Sequence, residues 1–221
     1  MEDAVTAILE RPMTTENAPA AEEPRTERRK EPRTEFEELL RITEELDTPD
    51  GYKAELIRGK IVVSPWSRPF YKRHMRSLRL QLAPHVPDGH DADTSPFLFS
   101  FPTSERAYGP DLHVADLKAF VGDARHVDGA ALSLVAELTS VSTRDVDWKE
   151  KLEVYGRHVP VYLVLDMPTE EITVFWDPSD HGYLARMTVP FGKPLPIPAP
   201  FDFDLDTADF VDEPEEEKTT E

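Results

Sequence analysis

The 221-residue sequence contains no cysteine, so disulfide bonds, cysteine-ligated zinc sites and thiol catalysis are excluded. It has no apolar run near the roughly 20 residues that span a bilayer, and residues 1–5 lack the basic start of a signal peptide. Basic residues are scarce, because 25 Lys and Arg stand against 44 Asp and Glu, a net charge of −19. A protein that coats DNA through general basicity is excluded, since such binding neutralises phosphates with Lys and Arg. We therefore expect a soluble, cytoplasmic protein without membrane contact.

The folded domain is expected at residues 33–210. Residues 1–32 mix charges with four prolines and show no sustained apolar period, which predicts a disordered N-terminal arm. Residues 211–221 are predicted to form a disordered acidic tail. The two ends carry −3 and −5 of the total charge of −19, which leaves −11 for the domain itself. The arm is either a partner-binding segment or variable padding, and its composition favours padding.

Hydrophobic periodicity predicts few helices and many strands. Helices are predicted at residues 34–46, 67–83 and 145–158, and strands at residues 52–57, 60–63, 97–101, 111–115, 131–139, 161–166, 171–176 and 182–189. Residues 194–200, in which every second residue is proline, are predicted to run as an extended strap across the surface. This pattern predicts an α/β fold of the mixed α+β type.

Two carboxylates are candidates for chemistry. Glu137 lies within the apolar strand predicted at residues 131–139, where alternation puts Leu132 and Leu134 on one face and Glu137 on the other. A carboxylate there is costly unless it is paired, protonated or bound to a metal, so a metal site and a structural salt bridge remain equally open. Asp111 follows a Gly-Pro pair at the start of a strand, where a turn cap is its more common role.

A lysine on the helix at residues 145–158 is the third candidate. At about 100° per residue, Lys149 and Lys151 both border the buried face, and the geometry favours Lys151 only slightly. A lysine that merely lays its stem along an apolar surface is the structural alternative. Two carboxylates and a lysine can together hold Mg²⁺, orient or deprotonate a water molecule, and stabilise charge on a phosphoryl oxygen.

In one segment of this acidic chain, all of the charged residues are basic. Residues 56–87 contain no Asp or Glu, and Arg68, Lys72, Arg76 and Arg79 fall on one face of the helix predicted at residues 67–83. Such a face is either a solvated surface or a site for phosphate or nucleic acid. If the face is functional, we expect it to contact DNA. A homodimer is one way to extend this contact surface.

Six segments in order resemble the Uma-two family of restriction-endonuclease-like proteins, which belongs with the PD-(D/E)xK nucleases. They are the hairpin at residues 52–65, the helix around His74, Pro110 with Asp111, and residues 136–143, 147–155 and 159–166. The resemblance covers about residues 50–190. It implies a restriction-endonuclease-like mixed β-sheet flanked by helices, and metal-dependent hydrolysis of DNA phosphodiester bonds.

The resemblance also implies a metal site. By position, Asp111 and Glu137 match the ligands of Mg²⁺, for which Mn²⁺ is a possible substitute, and the backbone carbonyl of Leu138 is a third ligand. Thr139 stands where the PD-(D/E)xK motif has its lysine, so the catalytic lysine is relocated to the following helix.

Three further residues receive roles from the resemblance. Lys151 matches the catalytic lysine of the helix. Glu55 matches the glutamate of the hairpin, which either supports the metal ligands or binds a second metal ion. His74 matches a histidine near the site, although a buried hydrogen-bonded role fits His74 equally well. The leading interpretation is a Mg²⁺-dependent DNA endonuclease. The alternative is a nuclease-fold protein with little activity that acts as an interaction or regulatory module, which the net acidity favours.

Overall fold

The computed structural model describes residues 33–65, 69–141 and 143–211. The predicted arm, residues 212–221 of the predicted acidic tail, and Arg68 of the predicted basic face lie outside these residues. Within the described ranges, no helix is both long and apolar enough to cross a membrane.

The fold has few helices and many short strands, as predicted. The α-helices are α1 (Glu35–Glu45), α2 (Lys72–Leu82) and α3 (Leu152–His158), the last preceded by a π-helical segment at Val146–Lys151. The strands are β1 (Tyr52–Ile57), β2 (Lys60–Pro65), β3 (His90–Asp93), β4 (Leu98–Phe101), β5 (Arg106–Tyr108), β6 (Leu112–Asp116), β7 (His126–Asp128), β8 (Leu132–Thr139), β9 (Val161–Asp166), β10 (Glu171–Ser179), β11 (Gly182–Pro190), β12 (Leu195–Ile197) and β13 (Phe203–Leu205).

The strands form two mixed sheets and one small pair. The larger sheet has the order β11-β10-β9-β8-β6-β3, and the second has the order β2-β1-β5-β4-β7, while β12 pairs with β13. Only β8 with β9 and β4 with β7 are parallel, and the other pairs are antiparallel. The predicted mixed α+β class is confirmed, with the strands divided between two mixed sheets.

Both faces of the larger sheet are covered, which explains why β8 and β9 are buried along their whole length. On one face, α2 and the segment after β11 pack against residues such as Leu134 and Leu163. On the other face, α3 and aromatic residues of the second sheet enclose Val135 and Tyr162. A third, smaller cluster holds α1 against β1 and β5.

A capping box fixes the start of α1, whereas α2 starts later than predicted. Thr34 caps α1 in a capping box with Glu37, in which each residue's side chain accepts a hydrogen bond from the other's backbone amide. Helix α2 begins at Lys72 and not at residue 67, because Pro69 opens a single 3₁₀ turn ahead of it.

A β-bulge overturns part of the predicted alternation in β8. Val114 pairs with Leu134 but Ala115 pairs with Leu132, so Ser133 is an extra residue on β8. The extra residue turns Leu132 to the face opposite Leu134, where it joins the cluster around Val135. The prediction that Leu132 and Leu134 share a face is therefore wrong.

The proline-rich strap is extended at residues 195–197, as predicted, but residues 199 and 200 form a turn, and the extended part contributes to the core. Leu195 and Ile197 are buried on either side of exposed Pro196, and Phe201 is buried just after the strap. Pro194 and Pro196 are therefore exposed, while Leu195 and Ile197 pack against the larger sheet.

Helix α3 approaches the β10–β11 turn closely at Gly156. A Cβ atom there would lie 2.9 Å from both Gly182 Cα and Tyr183 N, which are rigid backbone atoms. We expect Gly156→Ala to lower the free energy of unfolding by about 2 kcal/mol despite the better helix propensity of alanine. Denaturant unfolding measures this, with Gly109→Ala as the control because its Cβ would meet nothing closer than 3.6 Å. A Gly156→Ala protein as stable as the wild type would contradict the close approach.

Candidate active site

A cavity of about 320 Å³ lies where the β1–β2 hairpin meets the end of β8 and the segment leading into α3. We call it the acidic cavity, because the charged residues that line it in the described part of the chain are four carboxylates and two lysines. These residues are Lys53, Glu55, Asp111, Glu137, Asp147 and Lys151. All but Lys53 are buried, and Lys53 is largely so.

The register of the strands brings the first four of these residues together. Lys53 and Glu55 are two residues apart on β1, so they share one face of the strand. Leu112 on β6 pairs with Ala136 on the antiparallel strand β8. The residue before Leu112, which is Asp111, therefore lies beside Glu137, the residue after Ala136.

The π-helical segment contributes the other two charges. Asp147 and Lys151 both lie within Val146–Lys151, and both are buried. A π-helix winds more widely than an α-helix and is often found at functional sites. Asp147 and Lys151 face the same cavity across this turn, with Lys151 Nζ 3.5 Å from Asp147 Oδ1.

Lys151 is the centre of the charged cluster. Its Nζ atom donates a hydrogen bond to Glu137 Oε1 at 2.9 Å and lies 3.3 Å from Glu55 Oε1. Lys149 is different, because its side chain is 71 % exposed and pairs with Asp145 one turn away on the surface. The structure thus distinguishes the two lysines, and only Lys151 meets the carboxylates.

Backbone amides hold two of the carboxylates in place. The amide of Leu138 donates to Asp111 Oδ2 at 2.9 Å, and the amide of Gly109 donates to Glu55 Oε1 at 3.0 Å. Glu137 Oε1 accepts a further hydrogen bond from the Tyr155 hydroxyl at 3.2 Å. These fixed bonds orient the acidic groups before any ligand binds.

The acidic cavity contains less positive charge than its carboxylates require. Burial raises the pKa of Glu137 to about 8, with Asp111 and Asp147 adding to the effect and Lys151 opposing it. Burial likewise raises the pKa of Asp147. Glu55 differs: burial opposes its ionisation, yet the ammonium groups of Lys151 and Lys53 hold its pKa below the usual value. The two lysines therefore neutralise part of the cluster and leave an excess of two carboxylates.

The pKa values of the two lysines are also raised, which favours their charged forms. Burial alone would lower the pKa of Lys151, but Glu137, Glu55 and Asp147 raise it well above the ordinary value. The pKa of Lys53 is raised against the effect of burial as well, chiefly by Glu55. Both side chains are therefore ammonium cations in this arrangement.

Comparison with known proteins identifies the family of the chain. A profile of the Uma2 family, described as "Putative restriction endonuclease", matches residues 35–208. The chain belongs to the Uma2 family. A search of curated proteins finds no match.

A solved structure shares the fold of this Uma2 protein. It is the crystal structure of a putative nuclease belonging to DUF820 from Anabaena variabilis, which superposes with a TM-score of 0.59. The match covers 79 % of this chain and 96 % of that chain at 14 % sequence identity. At this identity the likeness establishes the fold, which is that of a nuclease-like protein, as the sequence predicted.

His74 does not join the acidic cavity of this Uma2 protein. It is buried on α2, where its Nε2 atom lies 3.1 Å from the carbonyl oxygen of Phe210, and its ring packs against Phe191 and Phe210. Its position matches the buried, hydrogen-bonded alternative, and the predicted catalytic role for His74 receives no support from the geometry.

The predicted basic face also lies away from the acidic cavity, since none of its described members lines it. Arg79 donates a hydrogen bond to the carbonyl oxygen of Ala92 at 2.9 Å, so its side chain serves the packing of α2 on β3. Arg76 borders a groove that also contains Asp206 and Asp209, while Lys72 is exposed. Contact between these residues and DNA stays a prediction.

Lys53 and Asp147 were not identified from the sequence. Both had readable signals: Lys53 is two residues before Glu55 on a predicted strand, and Asp147 is four residues before Lys151 on a predicted helix. In this Uma2 protein those spacings put each residue on the same side as a candidate site residue.

Proposed function

We propose that the protein is a metal-dependent DNA endonuclease that hydrolyses phosphodiester bonds in the acidic cavity. The observation that carries the proposal is the convergence of Asp111, Glu137 and Lys151 from two strands and a helical segment. Membership of the Uma2 family and the nuclease-like fold agree with it.

Asp111 and Glu137 would hold a divalent cation, with the backbone carbonyl oxygen of Leu138 as a third ligand. Carboxylate and carbonyl oxygens suit Mg²⁺, for which Mn²⁺ would substitute, and the excess of two carboxylates matches the charge of one such ion. Within residues 33–65, 69–141 and 143–211, no three His, Asp or Glu side chains are grouped as they would be around a metal ion. The proposed set needs only two side chains, since Mg²⁺ usually keeps several water ligands. When bound, the cation would supply Lewis-acid stabilisation of charge on a phosphoryl oxygen.

The residues around this set have separate tasks. The Lys151 ammonium group, 2.9 Å from Glu137 Oε1, would orient the attacking water and stabilise negative charge on the phosphate. Its protonated state favours orientation over proton removal. Glu55 and Asp147 act as positioning residues, because each lies within 3.5 Å of Lys151 Nζ and holds that group against the cavity wall.

Two observations favour the second candidate, a nuclease-fold protein that acts as an interaction or regulatory module. The domain carries −11 of the net charge, and Arg79 of the predicted basic face is engaged inside the fold. Long-range repulsion would therefore slow association with DNA, particularly at low salt. A protein that binds DNA without cleaving it, or that neither binds nor cleaves DNA, would support this candidate.

The test is cleavage of plasmid and linear DNA by the full-length protein with Mg²⁺, Mn²⁺ or EDTA. We expect metal-dependent cleavage by the wild type and a loss of roughly 10–100-fold in Asp111→Asn, because asparagine retains the hydrogen bond from Leu138 but removes the charge. Asp116→Asn is the matched control, since Asp116 caps a turn at the other end of β6. Calorimetric titration with Mg²⁺ should show a weaker affinity in Asp111→Asn alone. Equal traces of cleavage in all three proteins would indicate contamination and contradict the proposal.

A further inference from the structure

A second cavity, of about 430 Å³, adjoins the acidic cavity. The two share Tyr71 and Ser140 in their walls, so they are neighbours. We call the second one the aromatic cavity, because five of its ten lining residues carry aromatic rings. These are Phe70, Tyr71, His74, Phe191 and Phe210.

The rings form an ordered platform. Phe191 and Phe210 meet edge to face with centroids 5.5 Å apart, and His74 packs against both. Phe70 stands edge-on to Tyr71 at 4.3 Å, yet 58 % of its surface is exposed to solvent. An exposed phenylalanine of this size, supported from behind by a buried tyrosine, presents a flat apolar surface to a ligand.

The chemistry of the lining favours a neutral, planar ligand over a phosphate. Among the residues that the structure describes, no lysine or arginine lines the aromatic cavity, and Glu170 in its wall would repel an anion. A nucleobase meets these conditions, because its face stacks on aromatic rings and an exocyclic amino group can donate to a carboxylate such as that of Glu170. The shared wall at Tyr71 and Ser140 would put such a base next to a phosphate in the acidic cavity.

We propose that the aromatic cavity binds an unstacked nucleobase of the strand whose phosphate enters the acidic cavity, so that the substrate is single-stranded or locally unpaired DNA. This inference rests on the proposed function, since it assigns the substrate class of the same site. Bases within a duplex are stacked and paired, and they would have to leave the helix to reach Phe70.

The experiment measures binding with Ca²⁺ in place of Mg²⁺, because without a cation the excess carboxylates of the acidic cavity would repel the phosphate. A gel of each sample shows that the probe stays intact. The probe is a single-stranded oligonucleotide that contains one 2-aminopurine, whose fluorescence is quenched by stacking, with its duplex as comparison. We expect the single strand to bind more tightly than the duplex and to be quenched. Phe70→Ala and Phe70→Leu should each weaken single-strand binding by about tenfold and abolish the quenching, while Phe70→Tyr retains both. Leu184→Ala on β11, another exposed apolar residue, is the control and should leave both unchanged.

The outcomes separate this inference from the proposed function. Binding and quenching that are the same in Phe70→Ala and the wild type would overturn the nucleobase subsite, as would a preference for the duplex. Metal-dependent cleavage that survives in Phe70→Ala with unchanged strand preference would uphold the endonuclease and overturn the subsite. Quenching that depends on Phe70, in a protein that cleaves no DNA with any metal, would uphold base binding and overturn the endonuclease. Because Phe70 is exposed, all Phe70 variants should unfold at the same denaturant concentration as the wild type.

Discussion

Replacing Lys151 with methionine is expected to lower the free energy of unfolding by about 3–5 kcal/mol, because the substitution strands carboxylates in a buried cluster. Lys151 is only 3 % exposed and lies within 3.5 Å of three carboxylates, on Glu55, Glu137 and Asp147. Methionine has a similar length and fills the same space, so the loss reports the missing charge more than a missing volume. Chemical denaturation at neutral pH is the measurement.

Lys149→Met is the matched control for this prediction. The same change two residues earlier removes a lysine that is largely exposed and paired with Asp145 on the surface, so we expect a change within about 0.5 kcal/mol. If Lys151→Met does not fold, the double variant Lys151→Met with Glu55→Gln removes one stranded charge, keeps an oxygen for the Gly109 amide, and should recover part of the stability. Equal stability of the Lys149 and Lys151 variants would show that the ammonium group does not hold the cluster together.

The same residue illustrates what could be predicted from the sequence and what could not. The helical wheel put Lys149 and Lys151 at nearly equal distances from the buried face, because it assumed α-helical winding for a segment that is π-helical. What distinguishes Lys151 is contact with Glu55 and Glu137, which are far away along the chain. No local period contains that information.

Glu137 was easier to identify because its signal is local. A carboxylate in the middle of an apolar strand needs compensation, and the structure supplies Lys151 and Tyr155 as its partners. Asp111 had a weak local signal and depended on the family resemblance. The catalytic and metal-binding roles of both residues stay predictions, although the register of β6 and β8 does bring the two side chains side by side.

Other differences between expectation and structure also have physical causes. The bulge at Ser133 reverses the alternation of β8, and an extra residue of this kind leaves no mark on the hydrophobic pattern. The basic segment was predicted as one face of α2, but Arg79 turns to the carbonyl oxygen of Ala92 on β3, a strand that the periodicity did not reveal. Charge clustering along a helix cannot indicate which side chains the neighbouring backbone will engage.

Glu137→Gln is expected to reduce metal-dependent DNA cleavage by at least about 100-fold while leaving the fold nearly as stable as the wild type. Glutamine keeps the oxygen that accepts from Lys151 and Tyr155, so both hydrogen bonds can persist. Glutamine also resembles the neutral, protonated carboxyl group, which is the form that the raised pKa of Glu137 favours at neutral pH without metal. The free energy of unfolding without metal should therefore change by no more than about 1 kcal/mol.

The contrast between Glu137→Gln and Lys151→Met is the sharpest available test of the acidic cavity. A structural salt bridge would make both variants unstable and would link any loss of cleavage to unfolding. A metal ligand instead predicts a folded Glu137→Gln protein that no longer gains stability when Mg²⁺ is added, whereas the wild type gains it by mass action. Thermal unfolding with and without Mg²⁺, alongside the cleavage assay, measures both quantities. Stabilisation by Mg²⁺ that is the same in Glu137→Gln and the wild type would remove Glu137 from the metal site.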